Sequence, residues 1–109
     1  MTFPTNIPAV TLWEKTVVDR AATYIRHETG AAYWQDNRGQ TQGRDEDDSI
    51  FLAIHASAVT DGYIPKVDDR VLPGSVPDEQ PPQTAYTVGN VKDLRFGSAM
   101  MQHIEVILK

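Results

Sequence analysis

Cysteine is absent from this chain of 109 residues. Its absence excludes a disulfide framework, a thiolate zinc site and a cysteine nucleophile at once, and it accords with a reducing compartment. Cationic clusters are missing too. Ten Lys and Arg stand against fifteen Asp and Glu, a formal net charge of −5, so affinity driven by phosphate neutralisation is not expected. An acidic surface still suits a protein past which DNA moves without adhering. No apolar run approaches the roughly 20 residues of a membrane-spanning helix. Residues 1–8 carry no basic region followed by an apolar stretch, so no secretion signal is expected. Internal repeats and coiled-coil heptads are absent as well.

The chemical motifs that would name an enzyme are also wanting. Ser49, Ser57, Ser75 and Ser98 sit in no G-x-S-x-G context. Gly39 and Gly43 precede acids, not a lysine-bearing helix, so no phosphate loop is formed. The run Asp45, Glu46, Asp47, Asp48 lacks the ligand spacing and glycine of a calcium loop and reads as solvated charge. His27, His55 and His103 are far apart in sequence and would make a zinc or cupin-like site only by converging in space. No cofactor and no metal are expected.

What is present is alternation. Tyr86 and Val88 alternate with Thr87 and Gly89; Ile104, Val106 and Leu108 alternate with Glu105, Ile107 and Lys109. A period of two puts each set on one face of a sheet, and residues 84–109 read as two paired strands with the last residues tied into the sheet. Residues 9–13 alternate likewise. Residues 14–20 admit two readings. Trp13, Val17, Ala21 and Tyr24 fall at helical spacing, whereas Thr16, Val17 and Val18 are β-branched and favour extended chain.

Residues 22–28 and 31–37 flank Thr29-Gly30 and are expected to pair as a hairpin, with Gly30 supplying the positive φ of its turn. Residues 49–55 form a nearly continuous apolar run, expected to be the most buried strand. Residues 38–48 are polar. Residues 56–83 hold Pro65, Pro73, Pro77, Pro81 and Pro82 and are expected to be an irregular, Pro-rich loop region. Such a stretch can give only short edge pieces such as Arg70 to Leu72.

The order of these segments resembles that of small phage and prophage minor capsid or head–tail connector proteins of the head-closure kind. The resemblance is carried by Val10-Thr11-Leu12-Trp13, Ala32-Tyr33-Trp34, the apolar run through Ile54 and Tyr63-Ile64-Pro65. It continues in Asp69-Arg70-Val71-Leu72-Pro73-Gly74, Val91 through Ser98, and His103-Ile104-Glu105-Val106. The chain departs from that pattern at Pro73 and in the Pro-rich stretch after Gly74. The resemblance implies a small β-barrel, assembled as a homo-oligomeric ring among other phage neck or capsid proteins, in the virion and in the host cytoplasm during assembly. It implies no enzymatic activity, no specific nucleic-acid binding and no membrane.

The expected fold is therefore one all-β or mainly β domain over 1–109. Five to seven antiparallel strands would form a curled sheet or barrel with long loops, an irregular arm at 1–8 and at most one short helix. Its core should include Val10, Leu12, Tyr24, Trp34, Phe51, Leu52, Ile54, Val88, Val91, Ile104 and Val106. The arm, 38–48 and 56–83 should carry the partner contacts. Lys92, Arg95 and Phe96, with Tyr63 and Arg70, are the candidate interface residues, because Arg and aromatics anchor interfaces; a plain hairpin connection with solvated charges reads the same residues more simply. Two other functions compete. Trp13, Tyr33 and Trp34 would line the mouth of a small-ligand or carbohydrate-binding β-domain, and the three histidines would serve a cupin-like metal-dependent enzyme.

Overall fold

The computed structural model describes residues 3–36 and 49–109; the polar loop expected at 38–48, with its acidic run at 45–48, lies outside them. Seven strands form one antiparallel sheet: β1 (Val10–Val18), β2 (Ala21–Thr29), β3 (Tyr33–Asp36), β4 (Ile50–His55), β5 (Arg70–Pro73), β6 (Tyr86–Leu94) and β7 (His103–Leu108). Their spatial order is β2-β1-β5-β6-β7-β4-β3. The only helical pieces among the described residues are single 3₁₀ turns at Ala56–Ala58 and Ala99–Met101. The fold is all-β, and the sheet is curled without being closed.

Residues 14–20, ambiguous by sequence, continue β1 and turn into β2. Asp19 and Arg20 have φ of 51° and 66°, and Val18 faces Ala21 across the ladder. Two consecutive left-handed residues make a tight two-residue turn whose twist matches the strands it joins. The β-branched run outweighs the helical spacing. The hairpin expected across Thr29-Gly30 is not formed: β2 pairs with β1, and β3 pairs with β4. Gly30 is not among the residues with positive φ. Its N–H instead donates to the Ala58 carbonyl at 2.9 Å, which carries the chain across to β3.

β6 forms the corner of the sheet. Arg70 and Val71 of β5 pair with its first residues, Thr87 and Tyr86, and β7 pairs with the rest. A register shift between Val88 and Asn90 leaves Gly89 bulged. Val88 and Val91 are three residues apart and would face opposite ways in an unbroken strand; across the bulge they oppose the core residues Leu108 and Val106. Bulges also increase twist, which helps this sheet to curl.

The curl encloses one core. Val10 and Leu12 of β1, Ile50, Leu52 and Ile54 of β4, Val71, Val88, and Ile104, Val106 and Leu108 of β7 are all buried. Trp34 and Val91 pack against them half-buried, while Tyr24 and Phe51 are only partly covered. β4, flanked by β3 and β7, is the buried strand its apolar run foretold. The segment before β1 meets the segment before β3 through an isolated bridge from Ile7 to Ala32. Beside it the Asn6 side chain donates to the Trp34 carbonyl at 2.8 Å and accepts from the Trp34 N–H at 2.7 Å. The described part of the N-terminal arm is therefore fastened to β3.

The Pro-rich region also departs from its expectation. It supplies β5, a central strand between β1 and β6. Proline is tolerated because Pro73 is its last residue, beyond the two positions that pair with β6. The chain then crosses the outer face of β1 and β2 as a strap. Thr11 Oγ1 donates to the Gly74 carbonyl and accepts from the Val76 N–H, Arg26 Nε donates to the Val76 carbonyl at 2.7 Å, and Trp13 Nε1 donates to the Asp78 carbonyl at 2.9 Å. Prolines bring no N–H that needs a partner, so a segment rich in them can cover a sheet face with few fastenings. Trp13 lies fully buried beneath it.

The β1–β2 turn yields the first prediction. Side chains other than Gly, Asn and Asp are strained in the left-handed region by about 1 kcal/mol or more, so Arg20 bears the strain of this turn. Replacing Asp19-Arg20 by Asn-Gly should therefore raise unfolding stability by ~1 kcal/mol in urea titrations; an unchanged or lowered midpoint would contradict the turn geometry.

Candidate functional site

The densest gathering of chemically able side chains lies where β1 and β2 meet the segment before β5. Alternation from the core residue Leu12 places Glu14 on the inner face of β1, and His27 lies opposite Leu12 in the ladder. Residues 61–69 fold against that face. Gly62, at φ 77°, turns the chain there, and Asp68 and Asp69 are held to β6 through backbone hydrogen bonds with Val88 of 2.9 and 2.8 Å.

Asp69, fully buried, is the anchor. One carboxylate oxygen accepts from the Lys15 N–H at 2.9 Å and from Lys66 Nζ at 3.3 Å. The other accepts from the Lys66 N–H at 3.0 Å and from the Tyr63 hydroxyl. The Tyr63 ring stacks on His27, with centroids 4.1 Å apart and planes within 4°. His27 itself stands between two carboxylates: Nδ1 meets Asp61 Oδ2, and Nε2 lies 2.9 Å from Glu14 Oε1. Lys66 Nζ completes the cluster 3.7 Å from Glu14 Oε2.

These contacts set the titration of the group. Burial alone would lower the His27 pKa, but the hydrogen bonds to Asp61 and Glu14 and their charge outweigh it and hold the imidazole above its ordinary value. The hydrogen bond from His27 holds the Asp61 carboxyl below its ordinary range. Burial, followed by the hydrogen bond to Asp69, pushes the Tyr63 phenol far up, so it stays a donor. Both ring nitrogens of His27 face carboxylates, and neither is open to a substrate. The arrangement is built to hold segments together.

The three histidines do not converge. His55 and His103 oppose each other on β4 and β7, on the outer face of that part of the sheet, whereas His27 faces inward with Leu12. The Phe3 ring sits 5.2 Å from both outer imidazoles. Burial lowers the His103 pKa, but the Met101 carbonyl and Glu105 raise it above its ordinary value. Among the described residues no group of three or more His, Asp or Glu is disposed to hold a metal ion.

Trp13, Tyr33 and Trp34 are likewise apart. Trp13 is under the strap, Trp34 packs against Tyr86 at 5.8 Å, and Tyr33 lies on the outer face against Phe51 at 6.3 Å. Beside Phe3 open two depressions of about 550 and 290 Å³; the smaller is lined by Pro4, Tyr33, Phe51, Met101 and His103 among others.

No protein-family model matches the chain, and no curated protein or solved structure is significantly similar to it. Its function must be argued from its own surface.

The candidate interface residues fall into two groups. Lys92, Arg95 and Phe96 are exposed at the end of β6 and in the connection to β7. There Arg95 grips Asp93 through two contacts of 2.7 Å, and Phe96 is 70% exposed. Tyr63 belongs to the buried cluster instead, and Arg70 donates to the Ala85 carbonyl at 2.7 Å, so neither stands beside the others. Sequence reasoning passed over Val17, Val18 and Ile25, which are 63%, 59% and 50% exposed. Adjacent valines just before a polar two-residue turn were the available signal, since a strand running to the turn must show one of them on each face. It passed over Glu14, Asp61 and Asp69 as well, and nothing local in the sequence marks them.

Removing Asp69 tests the anchor. Asp69→Ala leaves the donors from Lys15, Tyr63 and Lys66 without their acceptor and should cost ~3–5 kcal/mol of unfolding stability. Tyr63→Phe keeps the stacking on His27 but loses the hydroxyl and should cost ~1.5–3 kcal/mol. Denaturant titration checks both, and a loss below ~0.5 kcal/mol in either would dismiss the network as the anchor.

Proposed function

We propose that the chain is a structural, non-enzymatic component of the virion neck: a head–tail connector or minor capsid protomer that assembles as a homo-oligomeric ring with other phage neck or capsid proteins. The observation that carries this reading is the free end of the β1–β2 hairpin. β5 pairs with β1 only from Val10 to Trp13, so beyond Trp13 the hairpin runs on as a two-stranded ribbon. Two-stranded ribbons are marginal alone in water, yet this one exposes Val17, Val18 and Ile25. Exposed apolar groups on a projecting element suit one that is covered in an assembly.

A second exposed apolar set, Phe96, Met100 and Met101, lies on a different element, the β6–β7 connection. Two unlike patches on one chain suit a head-to-tail interface, and head-to-tail contacts that close give rings. The resemblance to phage connector proteins and the acidic net charge, which suits a surface that DNA passes, point the same way. A small-ligand function is the second reading, favoured by the apolar depression beside Phe3. It is the weaker one, because only Tyr33 of its three expected aromatics lines that depression.

Sedimentation velocity and negative-stain imaging of the purified protein, alone and mixed with portal assemblies, test the connector. Rings, or association with the portal, are expected. Val17→Asp with Val18→Asp, and separately Phe96→Asp, should each weaken association by tenfold or more while circular dichroism stays unchanged. An equimolar mixture of the two variants should give dimers but not rings, since only one intact contact remains per pair. Failure of the wild type to associate under any of these conditions would overturn the proposal.

A further inference from the structure

We propose that His27 is a proton-dependent latch that fastens the cover over the edge of β2. β2 ends the sheet, so its outer backbone groups are open to pairing with another chain. Part of that edge is capped by the segment after β4: Thr29 bridges to Val59, the Gly30 N–H donates to the Ala58 carbonyl, and Thr60 Oγ1 donates to the Glu28 carbonyl. Asp61 is the next residue, and its carboxylate is held by His27. The latch thus sits at the end of the cap, on the strand it covers.

The proton requirement follows from the geometry. Ionised carboxylates only accept hydrogen bonds, and a neutral imidazole has a single N–H. With Asp61 and Glu14 on opposite ring nitrogens, both contacts are hydrogen bonds only if the ring carries two protons or a carboxyl carries one. The raised His27 and the lowered Asp61 put the extra proton on the imidazole.

The groups facing His27 decide what happens when it leaves. Glu14, on β1, has Lys66 Nζ at 3.7 Å to offset its charge. Tyr63, on the segment before β5, stays stacked through its bond to Asp69, and the Asp69 carboxylate behind it keeps its donors from Lys15 and Lys66. Asp61 is the most exposed partner, at 47% against 25% for Glu14, and it lies next to Gly62 with its positive φ. Deprotonation therefore releases Asp61 Oδ2 from the ring while Oδ1 keeps the Tyr63 N–H at 3.1 Å, so the cap loses its tie to β2 and loosens while residues 63–69 stay anchored. This inference stands whether or not the protein forms rings.

The sign of the pH dependence is determined. A pKa raised on folding stabilises fully below the ordinary imidazole value, about 6.5, and this contribution is lost as pH rises through the raised value. A lowered carboxyl contributes above its ordinary value, about 3.8, and is lost as pH falls through the lowered one. The cap is tightest between these limits and loosens on the alkaline side.

Imidazole titration by NMR, with hydrogen exchange corrected for intrinsic rate, tests the latch. His27 should titrate above 6.5, and protection of the Gly30 amide, which donates to the Ala58 carbonyl of the cap, should fall on the order of tenfold through the same transition. Asp61→Asn should lower the His27 pKa and make that protection independent of pH, whereas His103→Gln should leave both unchanged. If His27 titrates at or below 6.5, or if protection ignores its titration, the proposal is overturned. Wild-type protein alone yields both readouts, so a variant that fails to fold does not spare it.

Discussion

The Asp69 carboxylate is the contact on which the remaining structure leans. Its oxygens collect the backbone of β1 at Lys15, the backbone and ammonium of Lys66, and the hydroxyl of Tyr63, while its own backbone pairs with Val88 of β6. Neighbouring strands usually meet through a continuous ladder. Here β5 gives only two pairs to β6; the backbones of Asp68 and Asp69 just before it extend that contact to Val88, and the Asp69 side chain ties the same segment to β1. A buried charge is costly to desolvate and is tolerated when its acceptor sites are filled. The chain fills them by turning 63–69 back across the inner face of β1.

That anchor explains how a sheet of uneven strands becomes one body. β1 and β2 pair over nine positions each, β5 over four with β1, and β6 divides its length between β5 and β7. The bulge at Gly89 turns the corner, so the first two residues of β6 serve β5 and the rest serve β7. The Pro-rich strap then seals the outer face at Trp13. Each device does what another cannot: the anchor joins inner elements, the bulge bends the sheet, and the strap keeps water from an indole on the wrong side of the core.

Much of this was legible in residue order, and the failures have physical causes. Alternation in β7 and the dense apolar run of β4 gave their strands and facing, because each stretch has a single burial pattern along its length. The β1–β2 turn was hidden because Asp19 and Arg20 lack the usual glycine, and Gly30 misled because a glycine was present without the conformation that it permits. β5 was misplaced to an edge because its proline reads as a ladder breaker, yet Pro73 stands past the end of the ladder it would break. The cluster around Asp69 was invisible because its members are 55 positions apart from Glu14 to Asp69 and meet only through β1, β2 and the turn at Gly62. Of the candidate interface, the exposed group at Lys92, Arg95 and Phe96 follows from a polar interruption between strands. Tyr63 and Arg70 were chosen by residue type, which cannot tell a surface anchor from an internal donor.

The ribbon and the anchor are two parts of one argument about where this protein can act. A hairpin that exposes valine and isoleucine beyond the reach of β5 gains little from its own core, so its direction must be set at its root. The root is Trp13 to Lys15, held outside by the strap and inside by Asp69, with Glu14 tied to His27 across the pair. A rigid root lowers the conformational cost of binding at the tip, because the tip arrives already oriented. The same root carries the proton-sensitive imidazole, so a change there is felt first at the edge cap and at the base of the ribbon, before the core. On this view the curled sheet is a mount, and the chemistry that matters is the set of hydrogen bonds that aims what projects from it.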